Sequence, residues 1–261
     1  MKRQLLSASL QHLLIGACIA LPAFAQADGD APITPYRPSV SSPAQLPAEG
    51  QLEMEIGGLR NRARDSDARR DSLPYQFKLA FSKEWGVLLG GEAHVTARDT
   101  GVRESGVGDT TLVLKHAWSA DDTHANGLEF GVKLPTAKDT LGSGKADYTL
   151  NVIESIDITT LHIDVNANAT RLGVADPGTS RTQLGLSASF SMPLAERWGA
   201  TAELSGTHRQ GADNSMQVLG AVSFSPSKRL TFDLGAARTA RPSPGSTSFF
   251  AGVVFPITQL W

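Results

Sequence analysis

The stretch Leu161 to Leu172 reads LHIDVNANATRL. Leu161, Ile163, Val165, Ala167 and Ala169 alternate without a break with His162, Asp164, Asn166, Asn168 and Thr170. A period of two places these sets on opposite faces of a β-strand, one apolar and one polar. A single strand of this kind fits any sheet with one wet face, but here the pattern recurs to the last residue. With a secretion signal in front, the economical fold is all-β: a transmembrane antiparallel β-barrel, apolar toward lipid and polar toward a lumen.

The chain has 261 residues and a formal net charge of -2. Neither value suggests nucleic acid as a partner, which would call for a clustered basic face. Hydrophobic residues make up 41%, and no run beyond the N-terminus approaches the ~20 apolar residues of a spanning helix. Lys2 and Arg3, the apolar run Leu10 to Leu21 and the site Ala23-Phe24-Ala25 form a signal peptide over 1–25, so the mature chain is expected to begin at Gln26. Ile15-Gly16-Ala17-Cys18 resembles a lipobox, which would lipidate Cys18. The apolar residues that continue to the Ala-x-Ala site fit ordinary cleavage better. The mature chain then has no cysteine, which suits passage through an oxidising periplasm.

Residues 26–50 carry Pro32, Pro35, Pro38, Pro43 and Pro47 and form neither helix nor central strand. The segment is either a periplasmic tail or a plug for the barrel mouth, with Tyr36 and Arg37 as its contacts. From 51 to 261 the alternation gives about twelve strands, each near the ~10 residues of a tilted membrane strand. Glu154 falls on the apolar side of its strand, so either a bulge shifts the register there or Glu154 lies near the interface. Connections after even-numbered strands are mostly short, and those after odd-numbered strands are mostly longer and polar. Short periplasmic turns and long external loops have this asymmetry, and an even strand number puts both termini in the periplasm. Trp85, Trp118 and Trp198 fall at or beside the short-turn ends, the depth amphipathic rings favour. The last strand ends on Trp261, resembling the signal read by the barrel assembly machinery, although Gln259 stands where an apolar residue is usual.

Several landmarks follow in order: Pro32-Ile33-Thr34, Arg37-Pro38, Leu46-Pro47, Gly50-Gln51-Leu52-Glu53, Gly106-Val107-Gly108-Asp109, Lys133-Leu134-Pro135-Thr136, Leu141-Gly142-Ser143-Gly144 and Asp147-Tyr148. From Pro32 to Trp261 the chain resembles the outer-membrane transporter family named for the meta pathway of phenol degradation (MetA-like β-barrel proteins). Tyr36 stands where that family commonly has Asp before Arg-Pro. The resemblance implies an outer-membrane barrel and a passive route for small molecules, aromatic compounds included.

Gly142-Ser143-Gly144-Lys145 lacks the earlier glycine and the following Ser or Thr of a phosphate loop, so it reads as an external loop. No His pair has metal-ligand spacing, and no Ser and His stand together as in a hydrolase. Neither enzyme, metal nor cofactor is expected. Strand parity turns Glu53, Glu55, Lys78, Glu92, His94, Asp109, Lys115, Glu129, Lys133, Asp157, His162, Asp164, Glu203 and Asp233 into the lumen, with Arg181 near a rim. These charges either pair with one another or line a mildly acidic path for cations and neutral polar solutes. About twelve strands leave room for a narrow or gated pore. The function expected is a porin-like channel in lipid for small solutes. The alternatives are a closed barrel with a structural or loop-binding role and, more remotely, a membrane-embedded hydrolase.

Overall fold

The computed structural model describes residues 31–261. The expected signal peptide and cleavage site, with Cys18, and residues 26–30 lie outside them. Thirteen strands run β1 (Gln51–Ala63), β2 (Arg69–Ala80), β3 (Trp85–Asp99), β4 (Val102–Gly106), β5 (Thr110–Ser119), β6 (His124–Leu134), β7 (Asp147–Ile158), β8 (Leu161–Arg171), β9 (Thr182–Ala195), β10 (Trp198–Arg209), β11 (Ser215–Ser227), β12 (Leu230–Arg241) and β13 (Ser246–Gln259). Each pairs antiparallel with its chain neighbour, except that β3 pairs with both β4 and β5. β1 closes the ring on β13 through an unbroken ladder from Gly57↔Gly252 to Ala63↔Ser246. The result is an all-β, closed barrel of 12 strands, with β4 as an appendage.

β4 occupies what the alternation assigns to a loop. β3 runs past the rim and reverses at Thr100 (φ 46°) and Gly101 (φ 84°). Two successive positive φ angles give the primed turn whose twist matches the strands it joins. Thr at the first of these positions is a weak turn signal, so the hairpin escaped the sequence pattern.

The ring strands are 10 to 15 residues long, enough to span a bilayer when tilted. Leu112, Leu114, Leu128, Phe130, Leu150, Val152, Leu184, Leu186, Val218 and Leu234 all lie exposed on the outer face. So broad an apolar band is stable only against lipid. At the short-turn end His116 stacks between Trp85 (4.4 Å) and Trp118 (4.8 Å), and Trp198 packs on Phe224 at 4.8 Å. The connections at that end are 81–84, 120–123, 159–160, 196–197 and 228–229; those opposite include 64–68, 135–146 and 172–181.

Glu154 pairs in continuous register with Asn126 and Val165, so there is no bulge at that point. It lies on the outer face near the short-turn end, where its carboxylate meets His124 Nδ1 at 3.2 Å. A register slip does occur in β3. Ser72 pairs with Val95 and Pro74 with Glu92, so Ala93 and His94 together face Leu73. This bulge inverts the parity beyond it. Val95, expected outside, is fully buried, and His94, expected in the lumen, is exposed and bonds Thr96 Oγ1 at 3.2 Å. A small apolar cluster of Leu219, Ala237 and Phe250, flanked by Leu59 and Ala221, lies on the inner wall of β11–β13 and β1.

Candidate functional site

Residues 31–50 contact strands around the whole ring, which places them inside it. The segment is rich in proline and makes only one isolated bridge to a strand, Glu49 to Ala80. Its remaining backbone N–H groups need acceptors, because buried donors left unpaired are costly. The inner wall provides them. Thr34 N donates to Glu53 (3.1 Å), Tyr36 N to Glu55 (2.7 Å), and Val40 N and Ser41 N to Glu203 (2.8 and 2.9 Å). Ser42 N donates to Asn166 Oδ1 (2.9 Å), whose amide returns a bond to Ser42 O, and Ala44 N donates to Ser155 Oγ (2.8 Å). Ser155 in turn donates to Asp164.

Arg37 reaches across to β12 and grips Asp233 with Nε and Nη2, both at 2.9 Å. Two glycines make this approach possible. A Cβ on Gly57 would stand 2.8 Å from Arg37 Nη2, and one on Gly252 would stand 2.4 Å from Nε. At the centre the Tyr36 ring lies between Lys78 Nζ (4.3 Å to its centroid) and Lys115 Nζ (4.4 Å). Lys78 bridges Glu53 (3.0 Å) and Glu55 (2.6 Å) and donates to Thr34 O; Lys115 pairs with Glu129 (2.9 Å). Both lysine side chains are fully buried, so each charge is held by carboxylates and by the ring. The Tyr36 hydroxyl donates to Gln45 O at 2.6 Å, folding the segment back on itself.

The residues that parity turned inward therefore separate into groups. Glu53, Glu55, Lys78, Lys115, Glu129, Asp164, Glu203 and Asp233 are buried around the inner segment. Glu92, Asp109 and Lys133 lie toward the loop end. Arg70 holds Glu92, and Lys133 bridges Asp109 (3.3 Å) and Asp147 (2.9 Å). Asp157 and His162 lie at the short-turn rim, where His162 spans Asp157 (2.7 Å) and Asp164 (3.0 Å). His94 belongs with none of them. Asn166, Ser155 and Arg70 complete the network but were not singled out in the sequence. Parity marked Asn166 and Ser155 as inward, yet an uncharged side chain carries no further signal.

The inner segment separates two cavities. One of ≈ 430 Å³ opens toward the short turns, with Tyr36, Arg37, His162 and Trp198 in its lining. The other, ≈ 410 Å³, opens toward the loops beside Val40, Ser42, Glu129 and Gln217. No group of three or more metal-binding side chains occurs among the described residues.

No protein-family model matches the sequence, and a search of curated proteins returns no match. Solved structures do resemble the fold. The COG4313 outer membrane channel from Pseudomonas putida F1 aligns with a TM-score of 0.65 at 12% identity, covering 87% of this chain and 98% of that one. The KdgM porin in complex with disordered oligogalacturonate aligns with a TM-score of 0.53 at 13% identity, covering 77% and 98%. The translocator domain of the autotransporter NalP from Neisseria meningitidis gives 0.52 at 10% identity, covering 78% and 88%. At these identities the likeness is one of architecture: a closed membrane β-barrel of the outer-membrane type.

Proposed function

We propose that the chain is a passive outer-membrane channel for small molecules, with residues 31–50 as its plug. The observation that carries this reading is the mode of attachment. The plug is a separate segment held by hydrogen bonds and ion pairs to polar wall residues, with a cavity on either side, whereas wall side chains that met across the whole lumen would leave no path. Such bonds exchange for water when the segment shifts, so the closed state opens without unfolding the wall. The six carboxylates buried there against two lysines favour cations and neutral polar solutes. A polyanion such as the oligogalacturonate of the KdgM complex does not fit this wall. The resemblance to the meta-pathway family adds small aromatic compounds to the solutes worth testing. In this reading both termini are periplasmic, the signal peptide is removed, and the strand ending at Trp261 is presented to the barrel assembly machinery.

The test is single-channel conductance of refolded mature protein in planar bilayers. It is compared with Arg37→Ala and with a version lacking 26–49, each shown to be folded by heat-modifiable gel mobility. Larger or more frequent cation-preferring steps in both variants support the plugged channel. Folded but silent variants overturn it in favour of a closed barrel.

A further inference from the structure

The register of six adjacent strands lines up Arg238, Thr247, Arg62, Arg69, Arg98 and Arg103 on β12, β13, β1, β2, β3 and β4. Paired residues of antiparallel strands share a face, so the five arginines form one lateral row. That face is the outer one. Asn61, next to Arg62, turns inward to the buried Ser248 at 2.8 Å, whereas Arg60 pairs with Phe249, which is 57% exposed in the apolar band. The Arg62–Thr247 pair lies two residues beyond Phe249. At a rise of ~3.3 Å per residue that is about 7 Å along the strand, just past the apolar band and at the depth of lipid headgroups.

Three consecutive pairs in the row are arginine opposite arginine: Arg62–Arg69, Arg69–Arg98 and Arg98–Arg103. Like charges directly opposite destabilise a sheet. The one carboxylate on this face, Asp71, is shared by Arg60 (2.6 Å) and Arg69 (2.9 Å). Among the described residues, the side chains of Arg62, Arg98, Arg103 and Arg238 make no hydrogen bond or ion pair, and all four residues are exposed. Asp65 and Asp67 in the adjoining turn make no ion pair with them, and Asp99 and Glu104 sit at alternate positions that face the other way. The protein therefore supplies cations in a row and leaves their counter-ions to something outside it.

We propose that this row is a docking surface for an outer-leaflet lipid carrying two or more phosphate groups. The planar guanidinium fork matches phosphate bidentately, and a row across six strands offers several forks at one depth. A solute bound for the lumen does not meet these side chains, because they point away from it. Arg70, which does point in, is already held by Glu92. The proposal rests on the loop end facing the outer leaflet, as in the channel reading above.

The full mature chain in nanodiscs of zwitterionic lipid is titrated with diphosphoryl lipid A, and bound lipid is counted by native mass spectrometry. The expected result is retention by the natural protein and about ten-fold or greater weakening in the combined variant Arg62→Gln, Arg98→Gln, Arg103→Gln, Arg238→Gln. Arg171→Gln, an isolated exposed arginine on β8, is expected to bind as the natural protein does. A dephosphorylated lipid should bind weakly, and inorganic phosphate should not displace lipid A. Equal retention by the combined variant overturns the proposal. So does displacement by inorganic phosphate, which would mean a free-anion site, or a change of oligomeric state without a change in lipid, which would mean a second copy. Orientation is read separately from Ser66→Cys in the 64–68 turn, using an impermeant maleimide. Labelling of intact cells with a failed lipid arm overturns the docking surface alone. Labelling only after permeabilisation overturns the orientation on which both readings stand.

Discussion

Lys78 shows how strongly single side chains hold the interior. It is fully buried against Glu53, Glu55 and the Tyr36 ring. Lys78→Met leaves two buried carboxylates without a counter-charge and is expected to cost roughly 3–5 kcal/mol, read as a lower urea midpoint of the refolded barrel. Gly252 has the opposite role, since it matters by what it lacks. Gly252→Ala places a methyl group against Arg37 and should loosen the Arg37–Asp233 grip, giving the conductance of Arg37→Ala with the barrel intact. The charges of this site were legible in the sequence, because alternate residues of a strand must face the same way. Their partners were not. Most are backbone N–H groups of residues 34–44, which every non-proline residue possesses and which no side-chain pattern marks.

At the scale of elements, two places where the pattern breaks have different causes. In β3 the backbone slips, and parity fails from Ala93 onward, which removes His94 from the lumen and puts Val95 there. One extra residue in a ladder has no compositional signature, so only the register reveals it. In β7 the backbone is regular, and Glu154 is simply an outward carboxylate near the interface, answered by His124. Glu154→Leu is therefore expected to change the unfolding free energy by less than about 1 kcal/mol, measured by equilibrium urea titration in lipid. The β5–β6 turn carries its own pH dependence. The Asp121 carboxyl is held below the ordinary aspartate range, chiefly by the Thr123 N–H, then by the Thr123 hydroxyl and the His124 N–H. A depressed folded pKa means the turn is fully supported above the ordinary carboxyl range and loses that support as pH falls through the folded value. The protection factor of the Thr123 amide, its exchange rate relative to the intrinsic rate at each pH, should fall from neutral pH into acid in the natural protein and lose that acid-dependent fall in Asp121→Asn.

For the whole molecule, the ring of 12 strands, the apolar outer band and the short-turn tryptophans followed from period-two alternation, because a membrane leaves few other uses for it. The course of the inner segment did not. Its prolines exclude a central strand but permit a tail as well as a plug. Removing it would leave the wall's six carboxylates facing water against two lysines. The truncated pore is accordingly expected to pass K⁺ in preference to Cl⁻, with the reversal potential in a salt gradient as the readout. Preference for Cl⁻ would mean that the loop-end cations Lys133 and Arg70, rather than the buried wall, set the field.

The meeting of the chain's two ends has a mechanical consequence. β1 and β13 form the one seam that joins residues some two hundred positions apart, whereas every other joint is between near neighbours in the sequence. Leu260 N bonds Gly50 O at 2.8 Å, and Gln259 Nε2 bonds Glu49 O at 2.8 Å, so the inner segment departs directly from that seam. It then fastens to β1 through Glu53 and Glu55, to β12 through Asp233 and to β10 through Glu203. Those tethers straddle the joint. The same twenty residues that occupy the lumen thus act as a crossbar, bracing the cylinder where its first and last strands meet.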